Sequence, residues 1–167
     1  INFLFVTLFG IGKIKLIPGS FASLATTLFL FIIFYILNIS PNIILIGVII
    51  IFFISLYAVN IFIKDLENKD PKEVVIDEFI GQSIPICLYE ISHETTKEST
   101  QALTFYFIMF ILFRIFDIVK PYPVSYYDKN FKNSFGVIMD DVCAGLYVVA
   151  VLVLYMVITS WKNFRRK

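Results

Sequence analysis

The chain has 167 residues, is 59% hydrophobic and has a mean hydropathy of +0.85. Soluble domains use roughly 45–50% apolar residues, so this composition excludes an ordinary soluble domain and indicates an integral membrane protein. A net charge of +1 excludes electrostatic binding of nucleic acid.

Residues 1–12 are apolar and carry Gly10 and Gly12. They are too short to span and are expected at the membrane interface. No cleavable signal peptide is expected: Lys13 and Lys15 precede an apolar run too long for an h-region. The chain opens on Ile1, which implies an initiator Met upstream. Pro18-Gly19-Ser20 is a helix-start signal with Ser20 as the expected N-cap. Phe21 to Ile39 is an uncharged run about 28 Å long as a helix, close to the hydrocarbon thickness. Asn38, Ser40, Pro41 and Asn42 form a turn, and Ile43 to Ile63 completes a transmembrane hairpin.

Lys64 to Glu73 is a charged loop in which Pro71 is expected in the first turn of the next helix. Residues 74–91 are apolar but interrupted by Asp77, Glu78, Gln82 and Pro85, which predicts a kinked helix buried within protein. Ser92 to Gln101 is a polar loop. Ala102 to Val119 is the next span, stopped by Lys120-Pro121-Tyr122-Pro123. Ser125 to Met139 reads as an amphipathic, partly irregular connector, and Val142 to Trp161 as the last span before a basic tail. The expected fold is therefore all-α: one polytopic membrane domain over residues 1–167, with four to five apolar helices plus the amphipathic connector. Cys87 and Cys143 lie in apolar contexts and read as buried small hydrophobes.

If all five apolar segments cross, residues 13–20, 64–78 and 117–141 share one side. That side carries Lys13, Lys15, Lys64, Lys69, Lys72, Lys120, Lys129 and Lys132, against Lys97, Lys162, Arg165, Arg166 and Lys167 on the other. The positive-inside rule places the first side in the cytoplasm, although the basic tail argues the other way. Every clustered carboxylate then falls on one face; a re-entrant 74–91 segment removes that shared face.

The charges inside apolar sequence are the candidate chemistry. Ionisable groups there are costly unless they face protein, a ligand or a water-filled cavity. Asp77 and Gly81 share a helix face at i, i+4, where glycine leaves room for a ligand or a neighbouring helix. Arg114 pairs with Asp117 at i, i+3, and Asp117 with Lys120 likewise. Asp140 and Asp141 read as opening the last helix, where carboxylates cap and complement the dipole. Taken singly, these are a helix-end salt bridge and a cap; Asp128 reads as solvated. Taken together, Asp77, Glu78, Asp117, Asp140 and Asp141 can converge, with Arg114, Lys120 and Lys129 among them. Converging carboxylates repel unless a cation sits between them. Hard oxygen ligands suit Mg²⁺, and Arg and Lys suit phosphate oxygens. The pattern points to metal-assisted phosphoryl chemistry on a lipid headgroup. The single histidine, His93, lies in a polar loop, which argues against a histidine-nucleophile phosphatase. Cys-x₅-Arg, DxDx[TV], P-loop and CDP-alcohol phosphotransferase motifs are all missing.

Four ordered motifs carry a family resemblance: PGSFASL (18–24), VVIDEFIGQ (74–82), FRIFDIVKPYPV (113–124) and GVIMDDVCAGL (136–146). Together they resemble phosphatidylglycerophosphatase A over nearly the whole chain. The first motif departs at Ser20 and Ala22, where the family has Thr and Gly, and NSFG is poorer in Gly than the family loop. The resemblance implies a Mg²⁺-dependent phosphatase of the bacterial inner membrane that converts phosphatidylglycerophosphate to phosphatidylglycerol and phosphate in phospholipid biosynthesis. It carries the family motif onto Asp77, Glu78, Gly81, Arg114, Asp117, Lys120, Asp140 and Asp141. The expected assignment has Asp77, Glu78, Asp117, Asp140 and Asp141 as metal ligands and Arg114 and Lys120 on substrate phosphate, with the site on the cytoplasmic face. Glu78 is the expected general base, with direct water attack favoured over an aspartyl-phosphate. The alternatives are a non-catalytic transport or scaffold subunit whose buried charges pair between helices, or a phosphatase of another lipid or isoprenoid phosphate.

Overall fold

The computed structural model describes residues 2–69, 71–92 and 99–164. The expectations for His93, Lys97 and residues 165–167 fall outside them. Among the described residues all regular structure is helical: α1 (Asn2–Val6), a 3-10 turn (Ile11–Lys13), α2 (Pro18–Tyr35), α3 (Pro41–Ile63), α4 (Ile76–Ser92), α5 (Ser99–Val119), α6 (Val124–Asn130) and α7 (Ser134–Phe164). Four of them, α2, α3, α5 and α7, contain stretches long and apolar enough to cross a membrane.

The fold is organised around α4. It packs against α2, α3, α5 and α7, and most of its length is buried, including Asp77, Gln82, Pro85 and Cys87. That burial matches the mixed apolar and charged sequence of 74–91, which suits protein surroundings better than lipid. One apolar core joins α2, α4, α5 and α7 through Leu30, Ile86, Tyr106, Met109, Phe113 and Val148. A second joins α1, α3, α4 and α7 through Val6, Val59, Ile63, Ile80 and Ile138. Cys87 and Cys143 are buried free thiols.

The buried hydroxyls of α2 are satisfied within their own helix. Ser23, Thr26 and Thr27 donate to the carbonyls four residues back at 2.9, 2.8 and 2.8 Å, which lets an apolar helix carry them at little cost. The N-terminal arm does more than rest at an interface. Asn2 donates to the Ala58 carbonyl at 3.1 Å, and Val75 N–H donates to the Val6 carbonyl at 3.0 Å, so the arm tethers α3 and the approach to α4.

Several predicted boundaries are corrected. Ile17, not Ser20, is the N-cap of α2, because Pro18 takes the first helical position, where its missing N–H costs nothing. Pro71 lies outside α4; its carbonyl accepts Val74 N–H at 3.0 Å in a turn, and the helix starts at Ile76. Helix α5 starts at Ser99, earlier than Ala102. Part of the predicted irregular connector is helical: α6 occupies Val124–Asn130, and α7 already begins at Ser134. Asp140 and Asp141 are therefore well inside α7, and no acidic residue lies in its first turn. They are not caps.

Candidate active site

One end of the bundle collects the N-termini of α2 and α4, the C-terminus of α5 and the second turn of α7 around a cavity of about 460 Å³. Asp77, Glu78, Arg114, Asp117, Lys120, Asp140 and Asp141 all line it. The positioning device is backbone contact between α4 and α7. A Cβ on Gly81 would come within 2.6 Å of the Asp141 carbonyl oxygen, and one on Gly145 would overlap the Gly81 carbonyl oxygen. The glycine four residues after Asp77 thus makes room for a neighbouring helix. Asp77 and Glu78 of α4 meet Asp141 of α7 across that contact.

Oxygen atoms of Asp77, Glu78 and Asp141 lie within 4.8 Å of one another. Asp77 and Asp141 are 7% and 3% exposed, so their charges are nearly removed from water. Glu78 Oε2 and Asp141 Oδ1 are buried and accept no hydrogen bond. Buried polar atoms are seldom left so in native proteins, and each such atom calls for a partner. Three clustered carboxylates, two of them with an unpartnered oxygen and all hard donors, fit a small divalent cation.

The other two expected ligands are engaged by cations. Arg114 Nη1 lies 2.6 Å from Asp117 Oδ2. Lys120 Nζ lies 2.7 Å from Asp140 Oδ2 and 2.7 Å from Asp128 Oδ1. Lys120 does not pair with Asp117 along the helix, because its backbone turns left-handed (φ 47°) directly after α5 and carries the side chain toward α6 and α7. Burial by itself would lower the Lys120 pKa, but Asp140 and Asp128 outweigh it and hold the ammonium above its usual range. Ile17, also left-handed (φ 46°), lines the same cavity. Sparsely populated backbone at both places is the kind of strain that gathers at functional sites.

Asp128 is a correction: it is paired with Lys120 rather than solvated. Nothing in its sequence context marked it, because its partner lies in a different segment. Lys129 is exposed and does not line the cavity. Gly19, Lys15, Lys72 and Asn68 do line it and were not anticipated. Gly19 is packed against the cluster: a Cβ there would overlap Glu78 Oε1 and approach Arg114 Nη1 to 3.3 Å.

Residues 4–156 match the family described as phosphatidylglycerophosphatase A. The chain belongs to the phosphatidylglycerophosphatase A family. Phosphatidylglycerophosphatase A of Haemophilus influenzae is 34% identical over 146 residues, covering 86% of this chain and 82% of that protein. Phosphatidylglycerophosphatase A of Escherichia coli is 27% identical over 154 residues, covering 92% and 81%. A Bacteroides thetaiotaomicron relative, 31% identical over 141 residues and 83% of each chain, is provisionally named a phosphatidylinositol-3-phosphatase. No solved structure matches the chain. Membership in the phosphatidylglycerophosphatase A family makes the chain a membrane phosphatase, and the motifs that carry the likeness are those that line the cavity.

Proposed function

We propose that the chain hydrolyses phosphatidylglycerophosphate to phosphatidylglycerol and inorganic phosphate, with Mg²⁺ held by Asp77, Glu78 and Asp141. The observation that carries this reading is the buried three-carboxylate cluster set in the same cavity as Arg114 and Lys120. Bound there, Mg²⁺ would supply neutralising charge to the phosphate and a more acidic water. Arg114 and Lys120 hold the phosphate oxygens and offset charge in the transition state. Asp117 and Asp140 hold those two cations in place, at 2.6 and 2.7 Å, in addition to any contact with metal. Glu78 serves as general base. It takes a proton from water as the water oxygen bonds to phosphorus and the bond to the glycerol oxygen breaks. The released glycerol oxygen then takes up a proton.

The expected setting is the bacterial inner membrane, with the cavity on the cytoplasmic side, because the positive-inside rule favours the cytoplasm for the lysine-rich segments 64–72 and 120–132. The test is phosphate release from phosphatidylglycerophosphate by detergent-purified protein, with Mg²⁺ and with EDTA. Mg²⁺-dependent release that is lost in Asp77→Asn and Asp141→Asn supports the reading; no release by folded wild type removes the substrate assignment. Retention of configuration at a chiral phosphate would replace direct water attack by an aspartyl-phosphate route. The name of the Bacteroides relative favours one second reading, a phosphoinositide monoester, so phosphatidylinositol 3-phosphate belongs in the same assay.

A further inference from the structure

Helices α2 and α5 run antiparallel with their cavity ends together. Gly19 lies beside Arg114 at that end, and Phe31 and Tyr35 meet Tyr106 farther along. The two exposed aliphatic side chains that line the charged cavity are Ile17, at the start of α2 (62% exposed), and Ile118, at the end of α5 (70% exposed). The rim is thus apolar on the side where these two candidate spans meet. Along the same pair of helices lies a second, apolar cavity of about 390 Å³. It is lined by Leu24, Thr27 and Leu28 of α2 and by Leu103, Thr104, Phe107 and Phe110 of α5. Its two hydroxyls are already bonded within their helices, Thr27 to Ser23 and Thr104 to Thr100, so it offers apolar surface.

Register connects the two cavities. Leu103, Phe107, Phe110, Arg114 and Ile118 follow one another at spacings of three or four, which puts them on one face of α5. By helical rise, the groove begins roughly 9 Å from the start of α2 and ends roughly 24 Å from the end of α5. A 15 Å run is about half of the roughly 30 Å hydrocarbon core, the depth of one leaflet.

Resting on the lipid-phosphatase reading, we infer that the α2–α5 groove holds an acyl chain of the substrate, and that the lipid reaches the cavity sideways between Ile17 and Ile118. Its apolar lining suits an acyl chain, and its place on the same face of α5 as Arg114 and Ile118 of the carboxylate cavity sets it apart from the remaining lipid-facing surface. The substrate is then recognised by its tail as well as by its headgroup.

The test uses the full chain in detergent with two substrates: diacyl phosphatidylglycerophosphate and its deacylated form, glycerophosphoglycerophosphate. Thr104→Trp and Leu24→Trp fill the groove, while Ile49→Trp places the same bulk on the exposed face of α3. The groove variants are expected to lower kcat/KM on the lipid by about tenfold, the worth of roughly two methylene contacts, and to leave the deacylated substrate unchanged. Equal loss on both substrates, or loss with Ile49→Trp as well, overturns the inference. A lipid carrying a photoactivatable group in its acyl chain gives a readout independent of folding of the variants. Adducts concentrated on α2 and α5 support the groove, and adducts spread evenly over α3 and α7 make it ordinary lipid-facing surface. Wild type that releases phosphate from neither substrate removes the phosphatase reading itself, and the adduct map still judges the groove.

Discussion

Gly19→Ala separates activity from folding. Gly19 lies in the first turn of α2, where alanine is the better helix former by up to about 1 kcal/mol. The added methyl would overlap Glu78 Oε1 and sit 3.0 Å from Glu78 Cδ. Ordinary contact needs about 3.5 Å or more, so the carboxyl must withdraw by about 1 Å. The obstructing group is the end of a flexible side chain, so the helix need not move. The carboxylate, however, leaves the position where its oxygen lies within 4.8 Å of Asp77 and Asp141 oxygens. A misplacement of about 1 Å at a reacting centre costs about 10²-fold, or about 2.7 kcal/mol of transition-state stabilisation. The expected result is a Gly19→Ala protein with an unchanged melting temperature in detergent and about 10²-fold lower kcat/KM for phosphate release. Gly81→Ala provides the contrast, because its methyl meets the Asp141 backbone at 2.6 Å and the Phe113 ring at 2.8 Å. The Asp141 backbone cannot yield without parting α4 from α7, nor the fully buried Phe113 ring of α5 without repacking the core, and the cost falls on stability, at about 1–3 kcal/mol. Activity of Gly19→Ala within threefold of wild type, or a melting temperature lowered as far as that of Gly81→Ala, would refute the reasoning.

Asp141→Asn should raise the melting temperature in EDTA, because it removes one of three mutually repelling buried charges, and should abolish the stabilisation by Mg²⁺. For wild type the expected stabilisation is about 2.7 kcal/mol at a hundredfold excess over Kd, and melts with and without Mg²⁺ measure both effects. Lys120→Met leaves Asp128 and Asp140 without their 2.7 Å partner and is expected to cost about 1–3 kcal/mol; adding Asp128→Asn should recover part of it. The folded-state pKa of Lys120 is raised, so its contribution is fully present below the unfolded value of about 10.4 and is lost only as pH rises through the higher folded value. The stability difference between wild type and Lys120→Met should therefore stay constant between about pH 6 and 9. A difference that shrinks across that range would contradict the pairing.

The sequence made the number and order of the apolar helices legible, because length and hydropathy decide whether a segment can span. It also exposed Asp77, Glu78, Arg114 and Asp117, since charge inside apolar sequence is conspicuous. Asp140 and Asp141 stand out in the sequence as a helix start, whereas they lie inside α7. Gly136 and the polar residues before it read as irregular chain, whereas Gly136 is small because it packs on the Phe131 carbonyl. Asp128 and Gly19 escaped for a different reason. Asp128 gains its role from Lys120, eight residues earlier but across a change of chain direction between α5 and α6, and Gly19 from Glu78, far along the chain; local pattern carries no record of either meeting. The tethering of the N-terminal arm to Ala58 and Val75 is equally non-local.

The Gly81–Gly145 contact has a consequence for biogenesis. Asp77 and Glu78 arrive with a helix in the middle of the chain, and Asp141 arrives with the final one. The glycines let these helices seat at a single axial register; a slip of one turn, about 5.4 Å, would carry Asp141 out of reach. A nascent chain whose last helix has yet to insert therefore has an incomplete cluster, and on the proposed reading of that cluster hydrolytic competence would report that membrane integration has finished.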